Sequence, residues 1–382
     1  MENKIILITL MVLIVFTMGC IGEPRDFEET ELEVEEGVGV VDTLRIEELR
    51  PGLSGFVSLI VRSNLEGAGA SNVKISLENV RPFGIIECGE TWEDPNEERT
   101  CMGQLEMDVG LPIKTRGTAR IFPGEELEVF WRLQAPSKEE ISDIALKHPL
   151  YYNVEYSYSV NFRQNVIFMS QDEMLRRRQA GEEYVITGET GSTAGEIRFS
   201  SATRQPIYYA FDYRPGGESE RAFDFVLSYS ARNRGKGFPI SDIILILKHP
   251  GVDSVGRGIK PNQDEKIMEA YGWITWEEFE RRDCHDGERE ISCEKWLEEI
   301  FSEDDWENIK ENKENLLFKI IERKDFVPEF TVHAPMQITA EEMNNLRNAN
   351  IPLKLYSFNV HTAYRYYIEG KEYITVHPLR GI

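Results

Sequence analysis

The stretch that decides the fold is residues 153–162, NVEYSYSVNF, in which polar and apolar side chains alternate without a break. Alternation with a period of two is the pattern of a β-strand with one buried and one solvated face. The same pattern recurs at 73–78, 223–229 and 356–366. It predicts a mainly β fold of antiparallel sheets packed as sandwiches. The apolar positions of the first and last stretches are Val154, Tyr156, Tyr158, Val160 and Phe162, and Tyr356, Phe358, Val360, Thr362, Tyr364 and Tyr366.

Motifs of the first half of the chain recur in the same order in the second half. The segment FWRLQAP at 130–136 is echoed by FTVHAP at 330–335, and each is followed by a helix-like run and a Pro-Leu pair. Upstream, each half has Arg-Pro-Gly and then two apolar strands separated by an Asn-Gly-Gly turn region. The shared order predicts two tandem domains of one fold. Short strands broken by Gly and Pro favour an immunoglobulin-like sandwich over a parallel α/β sheet.

The chain organisation follows from these repeats and from the connecting segments. The predicted parts are an anchor at 1–22, an acidic linker at 23–36, a first sandwich at 37–170, a helix and flexible joint at 171–194, and a second sandwich at 195–382. Ser-Gln-Asp-Glu at 170–173 has the spacing of a capping box, which begins a helix reaching about residue 180. Gly, Ser and Thr in 189–195 indicate the flexible joint.

The N-terminus has the features of a membrane-targeting signal. An apolar run from Ile5 to Phe16 has the length of a secretory signal and is followed by Gly19-Cys20, which resembles the end of a lipoprotein signal. The prediction is therefore lipidation of Cys20, with an uncleaved helix from Ile5 to Ile21 as the alternative. Both interpretations place the rest of the chain outside the cytoplasm and tethered to a membrane.

Composition limits the partners. Hydrophobic residues make up 41% and aromatic residues 10% of the sequence, which is enough for real cores. The formal net charge of −24 argues against binding nucleic acid and against adhesion to anionic lipid, because both would repel the chain.

The five cysteines are consistent with a protein that is exported to an oxidising environment. Apart from Cys20, they form two local pairs, Cys88 with Cys101 and Cys284 with Cys293. Four cysteines allow three connectivities, and closeness in sequence favours the two local disulfides. Zinc at Cys284, His285 and Cys293 is the rival interpretation, but this set lacks a fourth ligand. No metal and no cofactor is predicted.

An acidic, Trp-rich helical insertion is predicted in the second domain at about 262–315. Thr275-Trp276-Glu277-Glu278 is a capping box that opens a helix reaching about residue 282, and further helices are predicted at 294–301 and from 303 to about 311. Insertions on rigid β scaffolds often carry function, so this one is a candidate partner-binding surface. The alternative is that its tryptophans pack the helices onto the sheet. The four tryptophans concerned are Trp273, Trp276, Trp296 and Trp306.

Catalytic motifs are missing from the sequence. It contains no Gly-x-Ser-x-Gly elbow, no phosphate-binding loop and no His-Glu-x-x-His. The six histidines are scattered without partners at ligand or triad spacing. The prediction is a protein that is not an enzyme.

With these residues in view, the chain resembles archaeal cell-surface lipoproteins with immunoglobulin-like repeats of the CARDB or S-layer-associated kind. The resemblance rests on GCIG at 19–22, RPG at 50–52, NVKI at 72–75, and PGEE at 123–126 leading into WRLQAP at 131–136. It covers most of 37–170 and, less completely, 195–382. It implies a structural or adhesive role at the cell surface and transfers no catalytic residue.

The resulting functional prediction is a non-enzymatic, membrane-anchored extracellular protein that acts as a surface structural or adhesion module with protein or glycan partners. A ligand-binding lipoprotein of a transport system is the alternative, although alternating βαβ patterns are absent. An extracellular hydrolase comes third. A cleft between the domains lined by His333, His361 and acidic side chains would favour either of these two alternatives.

Overall fold

The computed structural model describes residues 38–46, 49–63, 70–90, 111–114, 124, 126–141, 145–181, 190–192, 195–211, 221–287 and 289–377. The strands are β1 (Val38–Ile46), β2 (Ser54–Ser63), β3 (Ser71–Glu78), β4 (Gly84–Glu90), β5 (Leu111–Lys114), β6 (Glu126–Gln134), β7 (Leu146–Ser170), β8 (Thr190–Ser192), β9 (Ile197–Ser201), β10 (Ile207–Tyr209), β11 (Phe223–Asn233), β12 (Phe238–Pro239), β13 (Ile243–Lys248), β14 (Gly251–Val252), β15 (Gly258–Pro261), β16 (Asp283–Asp286), β17 (Arg289–Ser292), β18 (Leu316–Ile321), β19 (Glu329–Ile338) and β20 (Leu353–Val376). The helices are α1 (Lys138–Ile141), α2 (Gln171–Gln179), α3 (Glu265–Tyr271), α4 (Trp276–Phe279), α5 (Cys293–Ile300), α6 (Glu303–Glu311) and α7 (Ala340–Asn348).

Three main sheets build the molecule. The first has the order β1-β2-β6-β4, the central one runs β18-β13-β20-β7-β3-β5, and the third runs β14-β15-β19-β11-β9. Except for the short β10, which runs parallel to β7, the pairs are antiparallel. The prediction of a mainly β fold with antiparallel sheets is confirmed.

The two halves of the chain use the same strand order. The order β1-β2-β6-β4 corresponds to β9-β11-β19-β15, and β5-β3-β7 corresponds to β18-β13-β20. These orders match the A-B-E-D sheet and the C-F pair of an immunoglobulin sandwich, in which a G strand would complete the second sheet beside F. Among the described residues, neither half supplies its own strand at that position.

The missing G position is filled by exchange between the halves. β7 has 25 residues and β20 has 24, several times the usual strand length. The two strands pair antiparallel from Leu146 opposite Val376 to Met169 opposite Leu353. The first part of β7 pairs with β3 of its own half, and its last part pairs with β8 and β10. Each strand therefore acts as F in its own sandwich and continues as G in the other.

The core follows this exchange. Phe162, near the middle of β7, packs edge-on against Tyr229 of the second half, with ring centroids 5.9 Å apart. Phe168, near its end, lies 4.9 Å from Phe225 and 5.4 Å from Tyr356. One contiguous hydrophobic cluster consequently extends through both sandwiches. Residues 36–382 form one compact unit, whereas the sequence suggests two separate modules. The domain boundaries drawn along the chain remain predictions.

The connection between the halves contains the expected helix. α2 begins at Gln171, and the side-chain oxygen of Ser170 accepts a hydrogen bond from the backbone N–H of Glu173 at 3.2 Å. The Glu173 carboxylate pairs with Arg176 and Arg177 instead of closing the capping box. Within the predicted flexible joint, Thr190–Ser192 form β8 and pair with β7, and the joint itself stays a prediction.

The predictions for the N-terminus concern residues that the structure does not describe. The anchor at 1–22, the linker at 23–36 and the lipidation of Cys20 all lie outside the described residues. Within the described part of the chain, no helix combines the length and the apolar character needed to span a bilayer.

Candidate interaction surface

The helical insertion covers the outer face of one half of the central sheet. β13 is buried on both faces: Ile243 and Leu245 enter the sandwich core, while Ile244 and Ile246 join a second cluster formed with the insertion. α4 begins after a capping box, in which the Glu278 carboxylate accepts the Thr275 N–H at 3.0 Å. The helix ends at Phe279, about a turn earlier than predicted, while α5 and α6 lie within one residue of their predicted bounds.

The four tryptophans of the insertion are core residues. Their exposed fractions are 2% for Trp273, 6% for Trp276, 1% for Trp296 and 2% for Trp306. Trp276 and Trp306 pack against each other at 6.0 Å, and Trp276 also contacts Phe318 of β18. A partner cannot reach side chains buried to this extent. The placement favours the packing interpretation over a contact surface made by these tryptophans.

Cys284 and Cys293 form a disulfide, with Cα atoms 4.9 Å apart, which joins β16 to the start of α5. Both sulfurs are thereby unavailable to a metal, and His285 places its Nδ1 3.1 Å from Asp242 instead. No cluster of three metal-ligating side chains occurs among the described residues. Cys101 lies outside them, so the Cys88–Cys101 disulfide stays a prediction.

A chain of alternating charges ties the insertion to both halves. Lys74 of β3 pairs with Glu155 of β7 at 3.3 Å, and Glu155 also accepts from Arg365 of β20 at 3.0 Å. Arg365 in turn donates to Asp286 of β16 at 2.7 Å. Each charge along this line therefore has an opposite neighbour, and the group fixes the insertion over the strand pair.

Beyond the insertion, the outer face of the β7–β20 pair carries an exposed group of aromatic and basic side chains. We call this group the tyrosine–lysine face; it consists of Lys147, Tyr151, Lys371 and Tyr373. Tyr151 lies directly opposite Lys371, whereas Tyr373 is opposite Pro149 and Lys147 is opposite Thr375. Tyr151 is 40% exposed and Tyr373 46%, and both lysines are exposed.

The tyrosine–lysine face carries two positive charges, although the chain as a whole has a formal net charge of −24. The Lys371 ammonium lies 5.4 Å from the ring centre of Tyr151 and 4.9 Å from that of Tyr373, and the Lys147 ammonium lies 4.5 Å from Tyr373. A hydrogen bond from Lys371 lowers the pKa of Tyr373 and raises that of Lys371. Within the described residues, no ion pair joins either lysine to a carboxylate. Both ammonium groups are therefore available to an anionic partner.

The alternating sequence pattern alone does not reveal this face, because it predicts that the tyrosines near it lie on buried faces of the strands. Tyr151 and Tyr152 are adjacent and must point to opposite faces of one strand. Tyr152 is buried, whereas Tyr151 is exposed. The adjacent pair Tyr151-Tyr152 is the sequence signal for this surface, because two consecutive aromatic residues in a strand place one ring on the solvent-exposed face.

A polar cavity of about 430 Å³ lies between the β14–β15 hairpin, α7 and the start of β20. The buried carboxylate of Glu342 contacts the Lys354 ammonium and accepts from the Tyr356 hydroxyl at 2.6 Å. Burial and this hydrogen bond raise the pKa of Tyr356. Arg257 pairs with Asp253 at 2.9 Å. The charged groups of the cavity thus neutralise one another.

The buried His249, next to this cavity, predicts acid sensitivity. Its Nδ1 lies 3.1 Å from the Ile259 carbonyl oxygen, and burial lowers its pKa from 6.5 to about 4. Because burial disfavours the charged imidazole, protonation favours the unfolded chain, in which the histidine has its ordinary pKa. The folded state therefore has its full stability above pH 6.5 and loses part of it as the pH falls toward 4. The loss should reach about 3 kcal/mol. Denaturant unfolding of wild type and His249→Asn at pH 7 and pH 4 measures it.

His333, which is exposed on β19, offers the matched control. His333→Asn should leave the difference in unfolding free energy between pH 7 and pH 4 as it is in the wild type, whereas His249→Asn should reduce that difference. An equal pH dependence in wild type and His249→Asn would contradict the assignment.

The histidines proposed for a catalytic cleft lie on different sheets. His333 of β19 faces Ser228, with the serine oxygen 2.8 Å from Nδ1. His361 of β20 belongs to the central sheet, and burial lowers its pKa. Within the described residues, no carboxylate contacts His333, so the Ser228–His333 pair lacks the third member of a triad.

Comparisons with known proteins return no family. No protein-family model and no curated protein matches the chain. Among solved structures, a pilus backbone protein from Streptococcus pneumoniae is similar at 9% identity over 77% of this chain and 82% of that one, with a TM-score of 0.19. A membrane-anchored protein from Corynebacterium diphtheriae follows at 9% identity, 78% and 83% coverage, and 0.15. A collagen adhesin from S. aureus has 11% identity, 90% and 94% coverage, and 0.14. Similarities at these TM-scores support no functional conclusion.

Proposed function

We propose that this protein is a non-enzymatic, membrane-anchored extracellular module that binds a partner at the cell surface through its tyrosine–lysine face. The observation that carries the proposal is the exposure of Tyr151 and Tyr373 beside two lysines without carboxylate partners among the described residues. Exposed aromatic side chains with a polar tip are typical of recognition surfaces. The membrane anchor rests on the N-terminal signal and Cys20.

The fold suits this role because the face lies on a rigid support. Tyr151 belongs to a strand that pairs with β3 on one side and β20 on the other. Side chains on paired central strands are held in place more firmly than those on loops. The face can therefore meet a partner without first becoming ordered, which lowers the entropic cost of binding.

The test is partner capture from chemically crosslinked cell envelopes. The double variant Tyr151→Ala/Tyr373→Ala should lose the partners that the wild-type chain captures, because it removes both exposed rings. Tyr208→Ala is the matched control, since Tyr208 is 42% exposed and lies elsewhere, on β10. The proposal fails if the double variant captures the same partners as the wild type and as Tyr208→Ala.

A further inference from the structure

We infer that the tyrosine–lysine face binds an acidic polysaccharide, a polymer whose sugar rings carry carboxylates. This inference rests on the proposed function, because it names the chemistry of the partner that the same face would bind. It depends on the order in which rings and charges follow one another along the strand pair.

Rings and ammonium groups occupy three successive levels of the β7–β20 pair. Tyr151 and Lys371 share the first level, Tyr373 stands on the second and Lys147 on the third. Alternate residues on one face of a strand are about 7 Å apart. The two tyrosines occupy consecutive levels, with one lysine on the first level and the other on the third.

A polyuronate matches this order. Each sugar unit offers a flat face of C–H groups, which can stack on an aromatic ring, and one carboxylate, which can accept a charge-assisted hydrogen bond from an ammonium group. In the free protein the lysines lie over the tyrosine rings. Their long stems let the ammonium groups turn toward a carboxylate while the rings become free for stacking.

An extended acidic peptide suits the face less well. Peptides that bind sheets gain affinity by pairing with a free strand edge. Tyr151 lies opposite Glu78 on one side and opposite Lys371 on the other, so the backbone on both sides of its strand is already paired. The face offers side chains only, which favours a ligand recognised through ring faces and charges.

Nucleic acid would suffer more repulsion than a polyuronate. Duplex DNA carries one charge for about every 1.7 Å of its axis, whereas a polyuronate carries one for each whole sugar ring. The net charge of −24 therefore opposes the denser polymer more strongly. On the face itself, the exposed Glu369 stands two positions from Lys371 and limits the binding of any polyanion.

The experiment measures binding of the complete chain, in detergent micelles, to immobilised polymers at several salt concentrations. The probes are polygalacturonate, dextran as a neutral polysaccharide, poly-glutamate and single-stranded DNA. Polygalacturonate should bind most tightly. Tyr151→Ala/Tyr373→Ala and Lys147→Gln/Lys371→Gln should each weaken that binding about tenfold. Tyr208→Ala should leave it unchanged, and Glu369→Gln should strengthen it about twofold. Unfolding midpoints of the variants confirm that each is folded.

Equal binding of dextran, or binding of poly-glutamate or DNA as tight as that of polygalacturonate, overturns the inference. Unchanged binding in both double variants overturns it as well. If no polysaccharide binds but envelope capture still depends on Tyr151 and Tyr373, the glycan inference alone fails. If capture is also indifferent to these residues, the proposed function fails with it.

Discussion

Replacing Phe168 with alanine should lower the free energy of unfolding by about 3–5 kcal/mol, the range for removing a buried phenylalanine. Phe168 belongs to the first half of the chain, yet its fully buried ring packs between Phe225 and Tyr356 of the second half. The cavity would open in the second sandwich, which β7 completes. Equilibrium unfolding in denaturant, followed by far-UV circular dichroism, measures the change.

Phe56 provides the control for this prediction. Its ring is 47% exposed on the outer face of β2, so Phe56→Ala should cost less than about 1 kcal/mol. Both variants should keep the wild-type denaturant slope if unfolding remains one cooperative transition. A Phe168→Ala effect as small as that of Phe56→Ala would show that the end of β7 does not support the second sandwich.

The local pattern of the strands predicts their faces well. Val154, Tyr156 and Tyr158 were expected on one buried face, and none of them is more than 1% exposed. Burial of an alternating apolar face follows from the strand period alone, so no knowledge of the partner strand is needed. The helix caps at Ser170 and Thr275 are equally local, and both helices begin where expected.

Strand partners are decided by contacts between residues far apart in sequence. Here the repeated motifs suggest two separate sandwiches, whereas the strands pair across the two halves. Separate sandwiches and exchanged strand ends bury the same alternating faces, so the period cannot distinguish them. Two features depend on the exchange. β7 continues unbroken past the length that one sandwich needs. At Gly370, an added Cβ would lie 2.0 Å from the Tyr152 ring of the opposite strand, so a larger residue there would displace that ring.

In the candidate site too, the local features can be predicted from the sequence and the long-range contacts cannot. The run IILILK at 243–248 has no polar face, which indicates a strand covered on both sides. The insertion is the cover, and Trp276, Trp296 and Trp306 belong to the cluster that it forms with β13. The tyrosine–lysine face could not be predicted from either half alone, because Tyr151 and Lys371 come from strands 220 positions apart in sequence and become neighbours only through the β7–β20 register.

Separate halves of the chain should fail to fold alone and should recover on association. A break within 182–189 leaves residues 145–181 and 190–211 in different fragments and cuts no strand of the described part. The fragment that ends with α2 would expose Phe162, Val166 and Phe168, which are buried in the intact chain. The other fragment would expose Ile368, Ile374 and Val376. Unpaired strands with an apolar face are prone to aggregation, so neither fragment should be stable by itself.

Co-expression of the two fragments is the decisive measurement. They should purify as a one-to-one complex that unfolds in a single cooperative transition, because pairing β7 with β20 restores both G positions at once. Phe168→Ala in the first fragment should weaken this complex, whereas Phe56→Ala should not. Of these two side chains, only Phe168 packs in the other sandwich. A monomeric fragment with a sharp transition of its own would contradict the exchange, because that half would then complete its sandwich without the long strand of the other.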